Sequence, residues 1–433
     1  MIASLTISIE PVAISVRLYA PIMASVRVAF DLLRNHIGPS MTADAALVGV
    51  CRHATGPFGV SRVSTYAGSF IPVTSFDQPQ GRTLDMRIAQ IAPLIEAVPP
   101  KLYGGTERVV AYLTDALVEL GHDVTLFASG DSETKAKLAA IWPRALRLDP
   151  TVKDYFAPIF MELEIVARRA HEFDIIHAHL DYFGYPLLRR LGVPSVTTLH
   201  GRLDLPELPA LYGLYGDVPV VSISDSQRAP LPQANYIATV LHGLPQHLLA
   251  QGPGDGGYVA FLGRISPEKA PDAAIRIAIA AGVPIKLAAK VDRVDEEYYK
   301  SVVEPLLSQG DIEFVGEIAE HQKSEFLGRA SALLFPIAWR EPFGLVMIEA
   351  MACGTPVIAF NHGSVPEVLE HGVTGFIVQN EQQAVAALAE ARTLDRRRIR
   401  AEFDRRFTAH HMAQNYLKLY AHLARTQRTG TGP

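Results

Sequence analysis

The chain has 433 residues, 48% of them hydrophobic and 20% charged, with a formal net charge of −5. That length leaves room for two or three domains with sizeable cores, and the negative balance argues against nonspecific nucleic-acid binding without excluding a local basic patch. No run reaches the roughly 18–20 apolar residues of a membrane span, and the two cysteines, Cys51 and Cys353, imply no disulfide framework and fit a reducing compartment.

Residues 1–85 differ from the rest. They contain no lysine and few acids, and they lack the layout of a signal peptide. From Gly56 to Arg82 they scatter Gly, Pro, Ser and Thr in the manner of an unstructured segment. They are expected to form a disordered or dispensable extension, with a small accessory or targeting element as the competing reading. Met86 then opens a strand over Arg87 to Ala92. A Pro-rich loop from Pro93 to Gly105 leads to a helix over Thr106 to Leu120, whose Val109, Leu113, Ala116, Leu117 and Leu120 share one face. Gly121 stops that helix, and Val124 to Phe127 is the next strand. This order predicts a parallel sheet covered by helices, with ligands beyond the carboxyl ends of its strands. Gly104 and Gly105 thus sit at a crevice and at a helix N-terminus, where free N–H groups suit an anion.

A helical stretch from Val152 to Glu172 precedes D-I-I-H-A-H, which puts His177 and His179 on one strand face. Nothing nearby completes a metal site, so core roles are expected for both. The strand Pro194 to Leu199 delivers His200 and Gly201 into the crevice, and strands at Val218 to Ile223 and Tyr236 to Val240 complete the first half. The bridge from Leu241 to Gly257 holds a formal G-x-G-x-x-G at Gly252, Gly254 and Gly257. A strand follows it where a helix is required, so it reads as a linker, not as a dinucleotide site.

The second half repeats the alternation. Strands are expected at Tyr258 to Leu262, Ile285 to Ala289, Ile312 to Val315 and Ala332 to Pro336. Helices are expected at Asp272 to Ala281, Glu296 to Leu307 and Lys323 to Ala330. Arg264 and Lys269 lie in the loop after the first of these strands. Helices at Glu381 to Ala391, Arg396 to Phe407 and His410 to Ala424 close the chain, with Arg396 to Arg398 expected on a solvated face.

Between these parts runs R-E-P-F-G-L-V-M-I-E-A-M-A-C-G-T-P-V-I-A-F-N-H-G-S-V-P-E-V-L-E-H-G-V-T-G-F-I-V, from Arg340 to Val378. Phe343 and Gly344 open a short apolar helix, and Gly354 and Pro356 close it. Glu341 and Glu349 flank the helix start, where buried carboxylates are costly unless something bonds them. The helix N-terminus beside them suits a phosphate.

This stretch resembles the signature of retaining glycosyltransferases of the GT-B type, family 4 (glycosyl transferases group 1): E-P-F-G-L, the second Glu, A-x-x-x-G-T-P-V-I-A, G-x-x-P-E-V and G-x-T-G-F. The resemblance implies an α/β fold of two Rossmann-like domains facing across a cleft. The acceptor domain would span residues 86–245 and the donor domain 246–408. A helix at 409–425 would return to the first domain, ahead of a disordered tail at 426–433. It further implies transfer of a hexose-type sugar from a nucleotide-diphosphate sugar to a carbohydrate or lipid-linked hydroxyl acceptor, with retention, in polysaccharide or glycolipid synthesis.

By the same resemblance Glu341 and His200 would act on the transferred sugar. Gly104, Gly105, Arg264, Lys269, Phe343, Gly344, Leu345 and Glu349 would bind the donor, Arg264 and Lys269 on the diphosphate and Glu349 on the ribose. No D-x-D motif stands at a suitable place, so neither a cofactor nor an obligatory metal is expected. No nucleic-acid partner is expected, and the location is cytoplasmic, with room for peripheral contact at the inner face of a membrane. The bridge departs from the pattern at His242, where many relatives carry Asn. The competing function is a catalytically silent nucleotide-sugar-binding or scaffold protein of the same fold. A phosphorylase is disfavoured because its cofactor-lysine motif is missing.

Overall fold

A computed structural model of the chain describes residues 2–9, 12–19, 85–101 and 104–429. The first two segments are strands β1 (Ile2–Ile9) and β2 (Val12–Tyr19), paired antiparallel with Ile2 opposite Tyr19. They depart from the expectation of disorder over 1–85. The Gly56 to Arg82 part of that expectation lies outside the described residues, as does Cys51.

From Arg87 onward two parallel sheets follow one another. The first contains β3 (Arg87–Ile91), β4 (Asp123–Ser129), β5 (Lys137–Trp142), β6 (Ile175–Ala178), β7 (Ser195–Thr198), β8 (Pro219–Ser222) and β9 (Asn235–Thr239), in the order β5-β4-β3-β6-β7-β8-β9. The second contains β10 (Val259–Arg264), β11 (Ile285–Lys290), β12 (Ile312–Gly316), β13 (Ala332–Phe335), β14 (Val357–Phe360) and β15 (Gly375–Val378), in the order β12-β11-β10-β13-β14-β15. The central strands are apolar on both faces: Ile88, Ala89 and Ile91 of β3 are fully buried, as are Ala332 and Leu333 of β13. Continuous apolar runs are what helices on both sides of a parallel sheet require. Strand β5 escapes the sequence pattern because it is an edge strand, half exposed along its length.

One expected helix and one expected surface residue change on folding. Glu296 to Leu307 breaks into a helical turn, a π-helical segment (Tyr299–Val303) and a 3₁₀ turn (Glu304–Leu306). Pro305 explains the break, since it has no N–H to give and its ring crowds the preceding turn. Arg396, expected on a solvated face, is instead a knot. Its guanidinium donates to the carbonyls of Gly252, Gly328, Ala330 and Cys353 and to Thr355 Oγ1. It thereby ties the bridge, two loops and the helix end together, while Arg397 and Arg398 remain exposed.

The last helix, Ala409–Thr429, runs on past the expected tail start at residue 426. It packs on the helix Gly105–Glu119 and buries Tyr416 and Tyr420 in the core of the first sheet. A second link joins the sheets. Ser224 Oγ donates to the carbonyl of Pro342 (2.7 Å), and the Glu367 carboxylate accepts the backbone N–H groups of Asp225 and Ser226 (both 2.7 Å). Glu367, from the G-x-x-P-E-V motif, therefore caps a helix of the other domain.

Candidate functional site

The ends of both sheets open on one cleft of about 460 Å³. Every residue singled out for the site lines it: Gly104, Gly105, His200, Arg264, Lys269, Glu341, Phe343, Gly344, Leu345 and Glu349. On the second domain's side the floor is the helix Leu345–Ala352, whose first N–H groups lack intrahelical partners. Gly344 precedes it in the left-handed region (φ 78°), where a side chain would be strained.

Glu341 is 8% exposed. Its Oε2 accepts Lys269 Nζ at 2.5 Å and Trp339 Nε1 at 2.8 Å. Its backbone is braced by the loop after β14, where Ser364 N–H donates to Glu341 O (3.0 Å) and Ser364 Oγ to Phe343 O (2.7 Å). Arg264 ends β10 and pairs with Glu268 (2.9 Å), with Asp295 and Asp292 at 3.6 and 3.9 Å. Glu349, 4% exposed, takes Lys323 Nζ on Oε1 (2.7 Å). Lys323 also reaches Glu320 (3.1 Å), which pairs with Arg108 of the first domain. The buried carboxylates thus have the bonds their burial demands, and cation and carboxylate alternate along the cleft wall.

On the first domain's side, the helix Gly105–Glu119 points its N-terminus at the cleft. Gly104 is needed for packing: a Cβ there would stand 2.9 Å from Pro100 Cβ, whereas a Cβ on Gly105 would meet nothing within 4 Å. His200 is held at Nε2 by His179 Nδ1 (2.9 Å) and lies against the ring of His242, centroids 5.2 Å apart at 20°. His242 in turn meets the edge of Phe343 at 4.9 Å. Sequence reading made no claim for His242, although its departure from the pattern in L-H-G-L-P was a signal. Asp181, also missed, has a left-handed backbone (φ 47°) uncommon outside glycine. Its carboxyl faces the His200 backbone N–H, and burial pushes it up to about 6.

His177 and His179 are core residues, as expected, and both are fully bonded inside the first domain. Burial pulls His200 down to about 3, and holds His177, His179 and His242 well below their ordinary value of 6.5. All four are neutral at physiological pH. Unfolded, they take up protons as pH falls through 6.5, while the folded chain does not follow, so stability is complete above 6.5 and is lost below it. Each such group is worth about 1.4 kcal/mol per pH unit in that window. Glu162, buried without a partner, and Asp181 act in the opposite sense, as do Glu96, Glu107 and Glu367, all raised by burial, while His122 and His411 are pulled down by burial and side with the four. The histidines outweigh the carboxyls, and melting temperature is expected to drop between about pH 6.5 and pH 5. A flat profile in thermal melts across that range would mean that the histidines are hydrated.

Comparison with known proteins settles the class. Residues 103–236 match the family model described as Glycosyltransferase Family 4, and residues 251–408 match Glycosyl transferases group 1. The chain is a GT-B glycosyltransferase. This glycosyltransferase is 27% identical over 359 residues to alpha-maltose-1-phosphate synthase of Mycolicibacterium smegmatis, covering 70% of the chain and 88% of the relative. It is 27% identical over 265 residues to D-inositol 3-phosphate glycosyltransferase of Thermobispora bispora, covering 50% and 62%. Among solved structures, its fold matches sucrose-phosphate synthase from Thermosynechococcus elongatus (TM-score 0.65, 20% identity, 79% and 100% covered). It also matches Anabaena HepE in complex with UDP-glucose (TM-score 0.61, 18% identity, 79% and 100% covered). Both match the expected fold of two Rossmann-like domains across a cleft. Among the described residues of the glycosyltransferase, no cluster of three or more His, Cys, Asp and Glu is placed to hold a metal ion.

Proposed function

We propose that the enzyme is a retaining family 4 glycosyltransferase, which moves a hexose-type sugar from a nucleotide-diphosphate sugar to a carbohydrate or lipid-linked hydroxyl. The observation that carries this reading is the convergence of three features in one cleft: the Lys269–Glu341 pair, two helix N-termini and the buried Glu349. Breaking the anomeric bond puts charge on the leaving diphosphate, and that charge is stabilised by cations and N–H dipoles fixed beforehand. Arg264, Lys269, the Gly104–Gly105 turn and the N–H groups at Phe343, Gly344 and Leu345 serve that end. Arg264 is the bidentate partner. Glu349 holds the ribose hydroxyls. Glu341 keeps Oε1 for a sugar hydroxyl, because both its bonds converge on Oε2.

Attack from the face of the leaving group fits this arrangement better than a covalent intermediate, since Glu341 is neutralised by Lys269. Protein cations meet the diphosphate charge, so no divalent metal is obligatory. HepE and starch synthase IV from Arabidopsis thaliana, solved with UDP-glucose and with ADP respectively, support a nucleotide-sugar donor.

A panel of nucleotide sugars read by thermal shift tests the reading. A donor at one hundred times its Kd stabilises by about 2.7 kcal/mol. The expected result is one donor standing out, turned over with retention by NMR of the product, with activity surviving a chelator. If donors bind and no acceptor is ever glycosylated, the silent binding protein of the same fold is the better description.

No helix among the described residues is long and apolar enough to cross a membrane. Phe156, Phe160, Met161 and Phe183 stand exposed on the first domain, with the rings of Phe156 and Phe183 6.3 Å apart. They support peripheral contact with the inner membrane face, in polysaccharide or glycolipid synthesis. Co-sedimentation with anionic vesicles, lost in Phe156→Ser/Phe160→Ser, is the expected result. Absence of binding by the unaltered protein would remove this element.

A further inference from the structure

Four charged side chains alternate in sign across the cleft and join the two domains. Arg108, the fourth residue of the helix Gly105–Glu119 in the first domain, pairs with Glu320 of the second. Glu320 also pairs with Lys323 Nζ (3.1 Å), and Lys323 Nζ donates to Glu349 Oε1 (2.7 Å). Arg108 is steadied by Tyr112, whose hydroxyl it bonds and whose ring packs against the cores of both domains.

Stability does not account for this placement. Both cations stand in the first turns of their helices, Gly105–Glu119 and Lys323–Arg329, where the dipole disfavours positive charge. Lys323 is also only 8% exposed, and a buried ion pair adds little net stability over an apolar pair of the same size. What the arrangement does decide is the direction of Lys323, which has two carboxylates in reach. Glu320 already holds Arg108, so its pull on Lys323 is weakened and the ammonium sits closer to Glu349. Without Arg108, Glu320 would compete for Lys323 with its whole charge. A group of four charges that sums to zero would become one unit negative, beside a site that must take an anion.

We infer that Arg108 is a positioning residue for the nucleotide: through Glu320 it commits Lys323 to Glu349 Oε1, which fixes that carboxylate and leaves Oε2 for a ribose hydroxyl. A ligand-holding group is only as precise as the residues that hold it in turn. Nucleotide affinity is thereby made to depend on a residue of the opposite domain that acts through two intermediates. The ribose contact of Glu349 rests on the glycosyl-transfer reading; the coupling of Arg108 to Glu349 does not.

Calorimetric titration of the full chain with UDP, ADP and GDP selects the nucleoside diphosphate that binds most tightly, and the variants are titrated with it. Arg108→Ala is expected to weaken binding about tenfold, the equivalent of one hydrogen bond to a charged group. Arg108→Lys, which keeps the charge opposite Glu320, should retain most of the affinity. The decisive variant is Arg108→Ala/Glu320→Gln. With the competing carboxylate neutral, Lys323 returns to Glu349, and affinity should recover towards that of the unaltered protein.

If the double variant binds as weakly as Arg108→Ala, Arg108 touches the nucleotide itself and the inference fails. It fails equally if Arg108→Ala lowers the melting temperature and leaves affinity as it was, since Arg108 is then a packing residue. Should none of the three nucleotides bind the unaltered protein, the ribose contact falls, and melts without ligand still decide the coupling. Arg108→Ala and Glu349→Gln should then be non-additive, because Lys323 has no second carboxylate to choose once Glu349 is neutral. Additive losses would overturn the coupling as well.

Discussion

Glu341→Gln is expected to reduce kcat by on the order of 10²–10³, with nucleotide affinity held within a few-fold. Gln keeps an oxygen to accept from Trp339 Nε1 and Lys269 Nζ, so the geometry of the pair survives and the charge does not. Lys269 then faces the cleft uncompensated and binds the donor diphosphate more tightly in the ground state, which raises no rate by itself. Glu341→Ala goes further. It strips a part-buried lysine of its partner and costs about 1–3 kcal/mol of stability, a figure at the lower end for buried pairs because Lys269 retains some exposure. Steady-state kinetics, nucleotide titration calorimetry and thermal melts separate the two variants. A Glu341→Gln enzyme with near-normal kcat would remove Glu341 from the reacting centre.

Gly363→Ala is expected to damage the same residue without touching the cleft. Gly363 is left-handed (φ 59°), and a Cβ built on it would overlap the backbone N and O of Glu341 and lie 3.0 Å from the carbonyl carbon of Arg340. Backbone cannot yield as the tip of a side chain can, so the 340–344 segment must move. A displacement of about 1 Å in a catalytic group can cost 10²-fold in rate. The left-handed strain adds a stability loss of about 1–2 kcal/mol. The expected signature is a kcat loss of about 10–100-fold with Lys269 and Trp339 intact. Full activity at a lowered melting temperature would show that the loop brace is structural only.

Much of this site was legible because its motifs are local. E-P-F-G-L fixes a glutamate, a left-handed glycine and a helix start within five residues, and the 3.6-residue and strand patterns give the sheets around them. What escaped was set by partners far apart in the chain. Arg396 is an ordinary helix arginine until folding brings the carbonyls of Gly252, Gly328 and Cys353 around it. The Lys323–Glu349 and Arg108–Glu320 pairs, the stacking of His242 on His200 and the capping of Asp225 by Glu367 are likewise products of folding, with no periodicity to announce them. Strand β5, exposed and at an edge, offers no apolar alternation to read.

The tyrosines of the last helix carry a consequence for synthesis. Tyr416 and Tyr420 complete the hydrogen bonds of Thr198, His177 and Gln90, more than 200 residues upstream. A ribosome delivers the N-terminal domain first, so these polar groups leave the exit tunnel long before their partners exist. Until then they must stay hydrated, and the first domain can only reach a provisional state whose interior is still wet. The final step of folding is the insertion of the chain's own last turns, which expels that water and closes the domain made earliest. A chain released a few turns short would leave its oldest domain unfinished, and chaperones or proteases would find it there.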